Sequence, residues 1–191
     1  MDTSQTALES LPLDFSAIEL THSFRLEHLH PRDEEPVVDM IKRTLMKFSD
    51  EGQVLASTVR RLPRFHESYQ RHGASYLVIK DGAARSLLGG VGILPFAGLD
   101  PSEGIAEIRE LVVDTPFRGL GLGRKLIEMA IRKAAAMGYK RIYLEATSQM
   151  KHAQALFQRS GFRPIDSPKD SKTQNSDFPC YFVLESLALD V

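Results

Sequence analysis

Leu111-Val112-Val113-Asp114-Thr115-Pro116-Phe117-Arg118-Gly119-Leu120-Gly121-Leu122-Gly123-Arg124-Lys125-Leu126 joins an apolar strand to an amphipathic helix through a glycine series. The strand runs from Ile105 to Val113 and stops before Pro116, which has no N–H to give to a ladder. Gly119, Gly121 and Gly123 lack a Cβ, so successive backbone N–H groups can turn inward and approach a bulky anion closely. From Gly121 to Met137 the apolar residues recur at helical spacing, and Gly138 closes the run. The partial positive charge of a helix start therefore falls at the end of the glycine series. Arg118 and Arg124 add guanidinium groups whose geometry matches phosphate oxygens. The whole stretch reads as a phosphate cradle.

Outward from the cradle, Arg141 to Ala146 reads as another strand, which makes Ile105 to Ala146 a β-α-β unit. Upstream, Ser75 to Lys80 and Leu87 to Leu94 read as a hairpin around Asp81-Gly82. Phe24 to Leu29 alternates like a first strand, and Asp33 stands as N-cap of a helix with Val37, Val38, Ile41, Leu45 and Phe48 at helical spacing. A second, more basic helical stretch runs from about 53 to 72, interrupted at Pro63 and ending before Gly73. Downstream, a helix from Gln149 to Arg159 leads to Ser160-Gly161-Phe162 and a strand. A polar loop from Asp166 to Pro179 precedes a last strand, Cys180 to Leu187. Residues 1–20 are polar without a sustained period and read as a flexible arm ending in a short docking segment, with 21–191 as a single domain.

The 191 residues suffice to bury one core and are too few for two full domains. A formal net charge of -1 supplies no global field to attract nucleic acid or an anionic membrane. The N-terminal segment lacks the basic and apolar regions of a signal peptide, and no apolar run reaches membrane-span length. The single cysteine, Cys180, has no internal partner, which suits a reducing compartment; a cytoplasmic protein is expected. His28 and His30 alternate on one strand while His66 and His72 lie on another element, without carboxylate or cysteine at ligand spacing, so no metal site is expected.

Three phosphate-binding patterns compete for the cradle. A P-loop requires Gly-Lys followed by Ser or Thr, whereas Gly123-Arg124-Lys125-Leu126 offers no hydroxyl for magnesium. The dinucleotide fingerprint finds Gly119, Gly121 and a later acidic residue, Glu145, but its third glycine comes one residue early and too little chain remains for more parallel strands. The third pattern rests on a family. From about Ala106 to Phe162 the chain resembles the GCN5-related N-acetyltransferases, the GNAT superfamily, whose motif is Arg or Gln, two residues, Gly, one residue, then Gly or Ala. Arg118-Gly119-Leu120-Gly121-Leu122-Gly123 satisfies it. Both flanks agree, as does Ala153-Gln154-Ala155-Leu156-Phe157-Gln158-Arg159-Ser160-Gly161-Phe162 downstream.

The resemblance implies a mixed α/β fold whose central sheet splays between the family's strands four and five. It implies acetyl-CoA as co-substrate, held by the backbone of Leu111, Val112 and Val113, by Arg118, Gly119, Leu120, Gly121, Leu122, Gly123 and Arg124, and by packing against Phe157. The activity implied is transfer of acetyl to a primary amine of a small molecule or peptide by direct attack. Glu107 and Glu110 are both candidates for the general base, with Glu107 favoured, and Glu145 is a third. Period-two alternation turns Glu107 and Glu110 to opposite faces unless a bulge intervenes, so at most one is expected to meet the acceptor.

The chain departs from the family where many members carry a tyrosine that protonates the leaving thiolate: here Phe157 stands at that position. Water, Tyr181 or Ser148 could serve instead, or the protein could be a non-catalytic acyl-CoA-binding module. The acceptor is unspecified, although Arg60, Arg61, Arg64 and Arg71 would suit an acidic one if they are more than a solvated helix face. A homodimer is compatible with the sequence.

Overall fold

A computed structural model describes residues 17–21, 24–48, 62–82, 85–96, 99–166, 180–185 and 187. Its strands are β1 (Ala17–Thr21), β2 (Phe24–His28), β3 (Ser75–Asp81), β4 (Leu87–Pro95), β5 (Ile105–Val113), β6 (Arg141–Ala146), β7 (Arg163–Ile165) and β8 (Cys180–Glu185). Its α-helices are α1 (Glu34–Leu45), the single turn α2 (Phe65–Ser68), α3 (Leu122–Ala136) and α4 (Lys151–Arg159). The strands form one sheet in the order β1-β2-β3-β4-β5-β6-β8-β7. Within it β5 and β6 run parallel, and the other neighbours are antiparallel. The fold is the mixed α/β architecture the sequence implied.

Each face of the sheet carries its own core. On one, α3 sets Leu126, Ile127 and Ala130 against Leu88, Val91 and Ile108. On the other, α1 sets Val37, Met40 and Ile41 against Tyr76, Val78 and Val112, with Phe65 and Tyr69 alongside. Strands covered on both sides read as near-continuous apolar runs rather than alternating ones, and β3 is buried from Ser75 through Lys80. Lys80 is the charged exception in that run. Its ammonium is neutralised by Asp33 at 2.8 Å and Glu27 at 3.1 Å, as a buried cation requires.

Local departures have local causes. Asp33 does sit at the N-cap of α1 but makes no side-chain capping bond to that helix; it accepts from Lys80 and from the His30 N–H instead. The pairing Ala17↔Glu27 brings the sheet into residues 17–20 of the segment read as an arm. Of the basic helical stretch, residues 53–61 lie outside the described residues, as do 1–16 and 167–179. Of its described residues, 62–72, only α2 is α-helical, entered through Arg64 in the left-handed region at φ 59°. No helix among the described residues is long and apolar enough to cross a membrane.

Candidate active site

The cradle and a cleft in the sheet adjoin. β5 pairs with β6 only from Ile105↔Arg141 to Ile108↔Leu144, while it stays on β4 as far as Gly89↔Val113. Beyond Ile108 the two parallel strands part, leaving the β6-facing backbone edge of Arg109 to Val113 without a strand partner among the described residues. A cavity of about 130 Å³ lies in the gap, with Glu107, Glu110, Leu111, Glu145, Met150 and Phe157 in its lining.

At the cradle, Gly119 and Gly121 have φ of 83° and 80°, the left-handed region that favours glycine. A Cβ placed on either would meet nothing within 4 Å, so the space in front of the loop is open. Gly121 is the N-cap of α3, and no side chain caps that helix. Its first N–H groups are therefore available to an anion, and the long helix adds its dipole. These features fit a pyrophosphate. Arg118 lies over the strand end, its Nε donating to the Val113 carbonyl at 3.0 Å. Arg124 turns away to Glu128 at 2.7 Å. Leu120 is exposed, whereas Leu122 is buried in the core and can offer an anion only its backbone.

The two glutamates of β5 are brought together, contrary to the alternation argument. Opposite β4 the register slips between Gly90↔Val112 and Gly92↔Arg109, a bulge centred on Glu110 at φ 46°. A glutamate in this region costs roughly 1–2 kcal/mol. The extra residue resets the alternation, so Glu107, Arg109 and Glu110 all turn to the face carrying α1 and line the same cavity. Glu107 is 6% exposed and takes the Arg109 guanidinium at 2.9 Å. Burial raises its carboxyl to about pKa 7; Arg109 opposes the shift, and Glu145 and Glu110 add to it. For Arg109 burial acts against the charge, but Glu107, Glu110 and Glu145 outweigh it and the net shift is upward.

Two tyrosines that the sequence reading missed complete this face. The Tyr69 hydroxyl donates a hydrogen bond to Glu110 Oε2, and the Tyr76 hydroxyl donates to the Glu110 carbonyl at 3.0 Å. Burial first, then the Glu110 charge, pushes both phenols well above 10, so they remain protonated donors. Room for them comes from β4. A Cβ on Gly92 would lie 2.5 Å from the Tyr69 ring, and one on Gly90 would lie 2.8 Å from the Tyr76 hydroxyl. Glycines inside a strand are a known mark of close approach, and that was the available signal.

Other sequence candidates fall as follows. Phe157 is 4% exposed, packs on Phe182 at 5.6 Å, and lines the cavity, so it belongs to both core and cleft. Tyr181 on β8 is opposite Glu145, and Ser148 is exposed; neither lines the cavity. Tyr143, not singled out from sequence, does line it and is in register with Glu107. Arg60 and Arg61 lie outside the described residues, Arg64 faces solvent beside Glu67 at 3.8 Å, and Arg71 is exposed.

A mixed sheet that opens between its two parallel strands, beside a glycine cradle at the head of the following helix, defines the GNAT type of fold. Residues 38–162 match the model of the acetyltransferase (GNAT) family. The chain is 31% identical over 144 residues to YjgM, an uncharacterized N-acetyltransferase of Escherichia coli K12, covering 74% of this chain and 83% of that one. A GNAT-family acetyltransferase from Staphylococcus aureus Mu50 superposes with a TM-score of 0.71 at 15% identity, covering 86% of this chain and 99% of that one. YncA from Salmonella typhimurium, solved with its cofactor acetyl-CoA, does so with 0.66 at 18% identity over 85% of this chain and 93% of that one. The chain belongs to the GNAT acetyltransferase family.

Proposed function

We propose that this protein transfers acetyl from acetyl-CoA to a primary amine of a small molecule or peptide by direct attack, in the cytoplasm and without a metal. The parting of β5 from β6 carries this reading, because it sets a backbone edge that has no strand partner among the described residues, and a buried carboxylate, on one cavity next to the open cradle. The cradle N–H groups and Arg118 would hold the pyrophosphate, and the edge from Leu111 to Val113 would hydrogen-bond the pantetheine amides as an added strand would. When bound, the co-substrate supplies a thioester carbonyl activated for attack.

Glu107 is the proposed general base. An ammonium must lose a proton before its nitrogen can attack, and a carboxyl titrating near 7 is matched to that task at neutral pH. The amine's lone pair then forms the C–N bond, the C–S bond breaks, and its electron pair leaves on sulfur. A second nitrogen proton ends on the thiol by way of solvent, and the Glu107 proton returns to solvent. Glu110, also a candidate, is proposed to contact the acceptor.

Phe157 favours a second reading, a module that binds acyl-CoA without turnover, because a phenyl ring has no proton to give. Calorimetry with acetyl-CoA, followed by thiol release with a panel of amines, amino acids and peptides, separates the two. Binding with release supports the transferase; tight binding with no release for any acceptor supports the module; absence of binding removes both.

A further inference from the structure

Glu110 is held from two sides by residues far away in sequence, and the hold is specific. Tyr69 follows α2, Tyr76 lies on β3, and both reach across β4 to the bulge of β5 through the positions where Gly90 and Gly92 carry no side chain. Phe65, Tyr69 and Tyr76 pack against one another, tilted or edge-on, at centroid distances of 4.9 to 5.0 Å, and the Tyr69 ring is held between the other two. One hydroxyl fixes the Glu110 carboxylate and the other fixes its left-handed backbone. A fold has no evident need for either contact at this point: the bulge puts a charged side chain, at a conformational cost, into a cleft where an apolar strand residue would pack. Across the same cavity stand Ile41, Leu45 and Phe96, which give the cleft apolar walls.

We infer that Tyr69 is a positioning residue for the acceptor: it holds Glu110 as the carboxylate that receives the ammonium of an amine with an apolar body. The inference rests on the transferase reading above and adds to it the side chain that selects the acceptor. Among the described residues that line the cleft the one guanidinium, Arg109, is already engaged by Glu107, so an acceptor bearing a carboxylate beside its amine would find no uncommitted cation among them. Phenethylamine and L-phenylalanine, which differ by that carboxylate, are therefore a matched pair of probes.

The test measures phenethylamine affinity of the CoA-saturated protein by calorimetry for wild type, Tyr69→Phe, Glu110→Gln and the double variant, with acetyl-CoA affinity and melting temperature on the same samples. Tyr69→Phe keeps the ring in its slot and removes only the hydroxyl. It is expected to weaken phenethylamine about tenfold, as loss of a hydrogen bond to a charged group does, and to leave acetyl-CoA affinity unchanged. The loss is expected to vanish in the Glu110→Gln background, a coupling that a purely structural role of Tyr69 would not produce. In turnover the same variant should raise KM for phenethylamine far more than it lowers kcat, and wild type should prefer phenethylamine to L-phenylalanine. Equal phenethylamine affinity for wild type and Tyr69→Phe, an undiminished loss in the Glu110→Gln background, preference for L-phenylalanine, or no phenethylamine binding by protein that binds acetyl-CoA would each overturn the inference. Failure of wild type to bind acetyl-CoA would instead overturn the transferase reading.

Discussion

The cradle and the acceptor face meet along one strand but are built in opposite ways. The cradle is a contiguous segment, Arg118 to Arg124, whose working atoms are backbone N–H groups and whose side chains mostly point elsewhere: Arg124 to Glu128, Leu122 into the core. The proposed acceptor face is assembled from α1, β3, β4, β5, β6 and the segment after α2, and would work through side chains. Backbone recognition tolerates change in most side chains and fails when a Cβ appears. Side-chain recognition fails when a single proton or hydroxyl is lost.

That contrast can be broken in several places. The largest effect is expected at Glu107: Glu107→Gln removes the proposed base while keeping the shape, and kcat should fall by about 10²–10⁴ with little change in acetyl-CoA affinity, read by thiol release and calorimetry. Linked to it, the rate should fall as pH drops below about 7, since the carboxyl must be ionised to accept a proton, and the variant should lose that limb. Stability should move the other way. A carboxyl raised from 4.5 to about 7 holds its proton longer in the folded state, so its contribution is greatest in acid and is lost as pH rises through 7. Melting curves at pH 5 and 8 should converge in Glu107→Gln.

A smaller effect is expected on β4. Gly92→Ala forces the Tyr69 ring from its slot and should cost about 1–3 kcal/mol of stability by denaturant titration, with acetyl-CoA affinity retained in the folded fraction. The smallest is expected at Arg124, one of the two arginines that sequence chemistry assigns to phosphate. Its guanidinium is exposed and tied to Glu128, so Arg124→Ala should change acetyl-CoA affinity by less than about threefold.

The same contrast explains what could be read in advance. Strands β3 to β6, helix α3 and the cradle were legible because their signals, glycine spacing, Pro116 and helical periodicity, act within a few residues. The bulge at Glu110 was not, since period-two alternation gives no local sign of one extra residue, and it reversed the expected placement of Glu107 and Glu110. Asp33 stands at the N-cap where it was expected, but its side chain goes to Lys80, 47 positions away, a claimant that no local signal shows. Gly90 and Gly92 did announce a close approach, yet nothing in the sequence said that Tyr69 and Tyr76 were what approached.

The most direct test of the division between the two regions is acetyl-CoA affinity, measured by calorimetry on folded Gly121→Val and Glu107→Gln proteins beside wild type. A valine at position 121 fills the open space before the helix and strains a backbone at φ 80°. Binding should weaken at least about tenfold in that variant, the loss of a hydrogen bond or more, and stay at the wild-type level in Glu107→Gln. Wild-type affinity in folded Gly121→Val would contradict the account.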